Sequence, residues 1–177
     1  STTSSNARFY GPIGMASDGT YFYVAEWSNH KIRQVTISSG AVTTFAGPSE
    51  GSQTSGDTDS TTSSNARFYG PIGITTDNGT NLYVTDALNS KIRKIVIDNG
   101  TVTTFAGPPA GTTTSGDTDN TTSSNARFSR PYGITTDGTN LYVADYSNNK
   151  IRKIVIDNGT VTTLAGPPAG TTTSGDT

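Results

Sequence analysis

The sequence predicts an all-β protein built from three copies of one unit. The string Ser-Ser-Asn-Ala-Arg-Phe occurs three times, with its arginines at Arg8, Arg67 and Arg127, so successive copies lie 59 and 60 residues apart. No stretch keeps the helical apolar period of about 3.6 residues, because Gly, Thr and Asn interrupt every window. A fixed repeat is typical of stacked modules that bury their apolar faces against one another. The repeats are 1–59, 60–119 and 120–177.

The middle repeat predicts four short strands. Residues 71–76 alternate Ile with small or polar residues and lead into the turn signal Asn78-Gly79. Three further β-rich runs follow, at 81–86, 91–97 and 101–106. Asn99-Gly100 separates the last two and predicts a tight hairpin in which both residues have positive φ. The other repeats pass through the same order over 13–46 and 132–165.

Four antiparallel strands repeated in tandem predict the blades of a β-propeller, with the first strand of each blade nearest the axis. A parallel β-helix is the main alternative, but its coils are shorter and lack hairpin turns. Long connections join the blades over 47–70 and 107–130. Connections of this length are either functional or strapped onto the body by buried anchors. The expected anchors are Phe9, Phe68 and Phe128.

Motifs of the third repeat resemble a known family. Pro131-Tyr132-Gly133-Ile134, Tyr142-Val143-Ala144-Asp145 and the run 147–154 resemble the blade of NHL-repeat propellers. The connection ending in Ala-Arg-Phe and the closing run 162–166 resemble the long-loop bacterial version of that blade. The resemblance covers all three repeats. It implies a propeller of a family that includes RNA-binding and protein-binding scaffolds and a few metal-dependent lyases.

Three blades do not close a ring, because propellers carry about four to eight. The two end blades would each expose an apolar face. Two chains related by a two-fold axis would form the six-bladed ring common in the resembled family, so we expect each chain to be half of such a ring in a homodimer. No strand is left to hook the ends together, so closure is expected to rest on packing between blades. Other oligomers, or a natural or engineered fragment of a longer array, are the alternatives.

The repeats differ most on one predicted face. The turn between the second and third strands lies on the same face as the connection entering the first strand, because each strand reverses direction. Aromatic side chains there provide contact area at low entropic cost, which favours binding of a glycan, peptide or protein. Neutral drift on a loop face is the alternative. The candidate ligand-binding residues are Tyr10, Trp27, His30, Tyr69, Arg130, Tyr132 and Tyr146.

The residues for catalysis are missing. The chain has no Cys and one His, His30, which Ser90 and Asn149 replace in the other repeats. A ring of imidazoles at the axis and a nucleophilic triad are therefore both excluded within one chain. We expect a non-catalytic protein, the alternative being an axial enzyme site formed between subunits. One carboxylate recurs in every repeat and is expected to stabilise a turn, namely Glu26, Asp86 or Asp145.

Pairs of aspartates in the connections have the alternating spacing of calcium loops. The pairs are Asp57 with Asp59 and Asp117 with Asp119. Calcium is a hypothesis here, because the Gly and Glu of a calcium loop are absent at the sixth and twelfth positions. A salt bridge to the nearby Arg67 or Arg127, or plain solvation of the aspartates, is the alternative. We expect no other cofactor.

Charge and hydropathy limit the partners. The formal charge is −2 and the predicted pI is 5.2, which argues against nucleic acid and anionic membranes. The basic runs 91–94 and 150–153 sit within predicted strands and are expected to protect edges and aid solubility. No apolar run is long enough to span a membrane, and the polar start does not resemble a signal peptide. Absence of Cys is compatible with any compartment, of which the bacterial periplasm or exterior is favoured.

Overall fold

Three four-stranded antiparallel sheets make up the chain. A computed structural model describes residues 6–171 and 174–175, and within that part each sheet follows chain order from its first strand to its fourth. This confirms the predicted all-β fold of three propeller blades. The strands are β1 Pro12–Ser17, β2 Tyr21–Glu26, β3 Lys31–Thr36, β4 Val42–Ala46, β5 Pro71–Thr76, β6 Asn81–Asp86, β7 Lys91–Val96, β8 Val102–Ala106, β9 Pro131–Thr136, β10 Asn140–Asp145, β11 Lys150–Val155 and β12 Val161–Ala165.

The turns explain where the strands end. Asn78 and Gly79 both have positive φ, 55° and 83°, as the sequence predicts for an Asn-Gly turn. The Asn99-Gly100 prediction is half wrong, since only Gly100 has positive φ, 71°. The hairpin is longer there, because Gly100 N donates to Val96 O at 2.8 Å and leaves a wider loop. Each of the last two blades also has single-turn 3-10 helices, Ser63–Asn65, Ala87–Asn89, Ser123–Asn125 and Tyr146–Asn148.

The blades meet through their inner strands. β1 packs beside β5, and β5 beside β9, so the first strand of each blade lies innermost, as predicted. The approach is so close that only glycine fits. A Cβ on Gly14 would lie 2.2 Å from Ile72 O, and one on Gly73 would lie 2.3 Å from Tyr132 O. The absence of a side chain at these positions lets adjacent backbones touch.

Each hydrophobic core lies between two blades. One cluster joins Tyr23 and Ile32 of the first sheet to Leu82 and Val84 of the second. The other joins Tyr83 of the second sheet to the interior of the third. Burial of apolar surface is the main source of stability, so a blade depends on its neighbour for its core.

Straps hold the long connections to the outer edge of the following blade. Ser60 pairs with Val102 of β8, and its counterpart Asn120 pairs with Val161 of β12. Two of the three predicted anchors are confirmed, since Phe68 and Phe128 are fully buried. The third anchor is only partly covered, and Phe9 keeps 39% of its surface exposed.

The two end blades each leave one face uncovered. Ile92 and Ile151 occupy the same position in identical strands, yet Ile92 is fully buried and Ile151 is 39% exposed. On the opposite side of the arc, Met15 is 66% exposed, whereas its counterpart Ile74 is 6% exposed. Gly133 of the last blade is the counterpart of Gly73. A Cβ added to Gly133 would meet only the Cβ of Ala144, at 3.8 Å, so no neighbouring backbone lies against it. The apolar residues on the two open faces therefore occupy positions that are buried between blades elsewhere in the chain.

Candidate binding face

A buried carboxylate organises the turn beside each blade. Asp86 accepts hydrogen bonds from Tyr69 N at 2.7 Å, from Arg93 Nη1 at 2.9 Å and from Asn89 Nδ2 at 2.9 Å. Burial raises the pKa of Asp86. Asp145 has the same set of contacts in the third blade. These contacts tie the turn, the third strand and the incoming connection together, which is the turn-stabilising role that the sequence predicts.

The same carboxylate fixes the residue that follows each Phe anchor. The backbone N–H groups of Tyr10, Tyr69 and Ser129 donate to it at 2.7 Å in all three blades. The same backbone lies against the turn between the second and third strands, since Leu88 N donates to Tyr69 O and Ser147 N to Ser129 O, both at 3.0 Å. The Tyr69 and Tyr10 side chains are exposed beside this turn, at 42% and 57%.

The aspartates of the connections bind cations inside the blade. Asp57 accepts from Lys91 Nζ at 2.5 Å, and Asp59 accepts from Arg93 Nη2 at 2.6 Å. The alternative of a salt bridge to Arg67 is wrong, because that guanidinium donates to backbone carbonyls instead. The same pairing recurs in the third blade, where Asp117 binds Lys150 and Asp119 binds Arg152.

This pairing corrects the interpretation of the basic runs. Lys91 and Arg93 are fully buried and do not protect an edge or face solvent. The Arg93 guanidinium lies 5.2 Å from the centre of the Phe68 ring, which adds a cation–π contact under the strap. The sequence did not reveal this role. The alternation of side chains along a strand places Lys91 and Arg93 on the same face, but it does not show which face the connection covers.

No group of three or more His, Asp and Glu side chains within 6–171 and 174–175 is placed to share a metal ion. The oxygens of the four candidate aspartates face ammonium and guanidinium groups, which already neutralise their charge. Calcium binding at these aspartates stays a prediction that titration would test. In the same described part, no helix has the length and apolar character needed to cross a bilayer.

An apolar concavity of about 230 Å³ opens at the axial end of this face. It is lined by Ile13, Ile72 and Tyr132, the second residues of the three inner strands, together with Trp27. Gly70 makes room for the indole, since a Cβ there would lie 2.8 Å from Trp27 Cζ3. Sequence reasoning missed the two isoleucines, although their alignment with Tyr132 was a usable signal.

The candidate residues form two aromatic pairs, one of which includes Tyr132 of the concavity. Tyr132 and Tyr146 stack with their ring centres 4.5 Å apart and their planes 6° from parallel. His30 meets Tyr69 edge-on at 5.3 Å. His30 Nδ1 accepts from Gly70 N at 3.2 Å, and burial lowers the pKa of the imidazole, so His30 is neutral near pH 7.

Five of the seven candidate binding residues take part in these contacts: Trp27 and Tyr132 line the concavity, Tyr132 stacks on Tyr146, and His30 meets Tyr69. We call these five residues the cluster. Arg130 and Tyr10 are exposed and have no hydrogen bond or ring contact to that cluster in the described part of the chain. Arg130 takes the left-handed conformation, with φ 51°, where the other blades have Gly11 and Gly70. The contact between His30 and Tyr69 joins the first and second blades, whereas Tyr132 and Tyr146 both belong to the third.

Comparison with known proteins shows to which kind of repeat the three blades are similar. No family model matches the chain. It is 33% identical over 167 residues to NHL repeat-containing protein 2 of Bos taurus, a match that covers 88% of the chain. The chain belongs to the NHL-repeat β-propellers. Its NHL repeats span 22% of the length of the bovine protein, so the match concerns one part of that protein.

Solved structures share the NHL fold. A Bacteroides thetaiotaomicron protein of unknown function superposes with a TM-score of 0.65 at 27% identity, over 75% of this chain and 32% of that one. An auxiliary nutrient binding protein from the same organism gives 0.62 at 23%, over 83% and 36%. Virginiamycin B lyase of Staphylococcus aureus gives 0.54 at 23%, over 86% and 40%. Propellers like this NHL chain thus include a binding protein and an enzyme.

Proposed function

We propose that this NHL-repeat chain is a non-catalytic binding module that receives an apolar side chain of a peptide or protein ligand. The observation that supports it is the axial concavity of about 230 Å³ lined by Ile13, Trp27, Ile72 and Tyr132. Concave apolar sites bordered by a few aromatic groups are where ligands bind. Trp and Tyr also dominate the energetics of protein interfaces.

The lining favours a peptide over a glycan. The side chains of Ile13, Trp27 and Ile72 offer almost no hydrogen-bonding groups at the base of the concavity. The hydroxyls of a sugar ring would lose water there without gaining partners, which is unfavourable. A leucine, phenylalanine or tryptophan side chain would lose only apolar contact with water.

The enzyme alternative has little support at this face. A general base needs an accessible group whose pKa is near the working pH. The imidazole of His30 accepts a backbone hydrogen bond, and the nearby carboxylate Asp86 is buried among three donors. An axial site shared between two subunits is the remaining enzymatic form of the hypothesis.

A displayed peptide library screened beside a glycan array tests the binding proposal. We expect specific peptide hits that carry one apolar anchor residue. Affinity for the best hit should fall at least about tenfold on Trp27→Ala, while Tyr10→Ala, on the same face outside the cluster, should change it less than about twofold. Specific binding to glycans alone, or no hit at all, would contradict the proposal, and the second result would favour a purely structural array.

We also propose that two copies close a six-bladed ring. Beside the exposed Ile151, a concavity of about 390 Å³ on the third blade is lined by Ile134, Tyr142 and Val143. The equivalent face of the second blade is filled by the inner strand of the next blade, which supports the first blade of a second copy as the occupant. An aligned two-fold pair would cover both open faces with contacts already used within the chain.

Light scattering on the purified chain tests the ring. We expect a mass near twice 18.4 kDa. A folded chain that stays monomeric at every concentration would overturn the dimer. A stable assembly of another size would keep the open faces as interfaces but overturn the number of six blades.

A further inference from the structure

Within residues 6–171 and 174–175, the first blade lacks a polar contact set that the other two blades possess. In the second blade, Asp57 Oδ2 accepts from Lys91 Nζ at 2.5 Å and from Gly111 N at 2.8 Å. Asn89 Nδ2 donates to Gly56 O at 2.7 Å. One short segment, Ser-Gly-Asp-Thr, thus clasps the third strand of the blade to the connection that leaves it. We call this arrangement the clasp.

The clasp is repeated in the third blade with nearly the same geometry. Asp117 Oδ2 accepts from Lys150 Nζ at 2.5 Å and from Gly170 N at 2.7 Å. Asn148 Nδ2 donates to Gly116 O at 2.6 Å. Two independent copies agree to within about 0.1 Å, so the contacts belong to the repeat and not to one blade.

In the first blade the receiving side chains surround an open pocket. The pocket has a volume of about 280 Å³, and Asn29, Lys31 and Arg33 are part of its lining. Within the described residues Lys31 Nζ bonds to the carbonyl of Ser49, at 3.0 Å, and to no carboxylate. Burial lowers the pKa of this lysine. The remaining anion at the pocket, Glu50, is mostly exposed and lies 3.8 Å from Arg33 instead.

A buried hydroxyl also shows that the pocket is incomplete. Thr104 Oγ1 and Thr163 Oγ1 donate to Asp59 and Asp119 at 3.1 Å. The third counterpart, Thr44 Oγ1, is buried and has no hydrogen-bond partner among the residues that the structure describes. A buried polar atom without a partner is unfavourable, so this pocket is built to receive an acidic segment.

The sequence contains one further copy of that segment. Ser174-Gly175-Asp176-Thr177 repeats Ser55-Gly56-Asp57-Thr58 and Ser115-Gly116-Asp117-Thr118 residue for residue. Asp176 therefore stands in sequence where the two aspartates of the known clasps stand. Both known clasps hold the blade that follows the segment in the chain, and the first blade is the one whose receiving side chains surround an open pocket.

We infer that Ser174–Thr177 of one copy clasps the first blade of a second copy, with Asp176 bound to Lys31. The inference rests on the ring proposed above. It adds a salt bridge and hydrogen bonds between the two copies to the packing of their apolar faces. By analogy with the two known clasps, Asp176 accepts from Lys31 Nζ and Gly51 N, and the Gly175 carbonyl accepts from Asn29 Nδ2. Charge is complementary, since three cations and one anion line the pocket, Arg8, Lys31, Arg33 and Glu50, and the segment supplies a carboxylate.

Association of single variants tests the clasp. Asp176→Ala should leave the melting temperature of the monomer unchanged. It should weaken each interface about tenfold or more, and a dimer with two such interfaces about a hundredfold or more. Asp117→Ala is the matched control, because the same contact lies within one chain. It should lower the melting temperature and leave the dissociation constant unchanged. A dimer that tolerates Asp176→Ala overturns the clasp but not the ring, whereas a monomeric parent chain overturns both.

Charge reversal gives a second, independent test. Lys31→Glu and Asp176→Lys should each repel at both interfaces and remain monomeric. Mixed in equal amounts they should form a heterodimer, because both interfaces then pair a Glu with a Lys or a Lys with an Asp. Failure to associate after mixing, with both variants folded by circular dichroism, would contradict the assignment.

Adding one Asp after Thr177 sharpens the test. The added residue would be the counterpart of Asp59 and Asp119, and it would give Thr44 and Arg33 the partner that their equivalents have. We expect the dissociation constant to fall about tenfold relative to the parent chain. An added Ser is the control and should change nothing. Equal effects of Asp and Ser would contradict the proposed register.

Discussion

The middle and last blades are nearly the same sequence in two environments. The strand Lys-Ile-Arg-Lys-Ile-Val is identical in both, but its first isoleucine is buried in the middle blade and 39% exposed in the last. The middle blade has a neighbour on each side, and the last has one. In this fold a blade's apolar face is buried by the adjacent blade. An arc of blades therefore leaves an exposed apolar face at each end.

Aspartate at this isoleucine gives the largest expected contrast. Ile92→Asp places an unpaired carboxylate in a closed core and should destabilise the chain by about 4 kcal/mol or more, enough to unfold it. Ile151→Asp should leave the chain folded and abolish its association. Urea unfolding with light scattering measures both. Similar unfolding of the two variants would break the comparison, because it would mean that the last blade is closed within the chain.

Removal of an anchor phenylalanine should show the next largest difference. Phe68→Ala empties a buried site under Arg93 and should cost about 3–5 kcal/mol in the free energy of unfolding. Phe9→Ala removes a half-covered ring and should cost about 1 kcal/mol. Urea titration of both variants compares them directly. Equal losses would indicate that the first strap is packed as tightly as the second.

Acid should release the clasps. The hydrogen bond from Lys150 lowers the pKa of Asp117 below its ordinary value. The stability it contributes is present above the unfolded pKa of about 3.9 and is lost as pH falls through the lower folded value. Asp117→Asn should flatten this part of the profile, measured as unfolding midpoint against pH. An unchanged slope in the variant would assign the acid sensitivity to other carboxylates.

The smallest expected effect concerns the histidine between the first two blades. Burial lowers the pKa of His30, so protonation favours the unfolded state and stability should decline as pH falls through the unfolded value of about 6.5. His30→Asn, which copies the residue found at Asn149, should remove this decline. Melting temperatures between neutral and mildly acidic pH measure it. A decline of equal size in the variant would refute the assignment to His30.

The candidate site was partly accessible from the sequence. Comparison of the repeats singled out Trp27 and Tyr146, because aromatic residues at variable turn positions stand out without coordinates. The concavity itself was not accessible, since Ile13 and Ile72 read as ordinary strand residues. Their convergence depends on the angle between blades, which local patterns do not encode.

The charged residues show the same division. Alternation placed Lys91 and Arg93 on one side of a strand, but it could not show that a connection some 34 residues earlier in the chain covers that side with Asp57 and Asp59. The strap contact has long sequence separation, and such contacts follow from topology.

The amino-acid sequence alone determined the repeat, the strands, the Phe68 and Phe128 anchors and the fold class, because strand periodicity, turn residues and repetition are local properties. Only the tertiary structure decided which equivalent side chains are buried, which aspartate meets which cation and where a pocket is left open. Those outcomes depend on what lies against each blade, and nearly identical blades differ there because their neighbours differ.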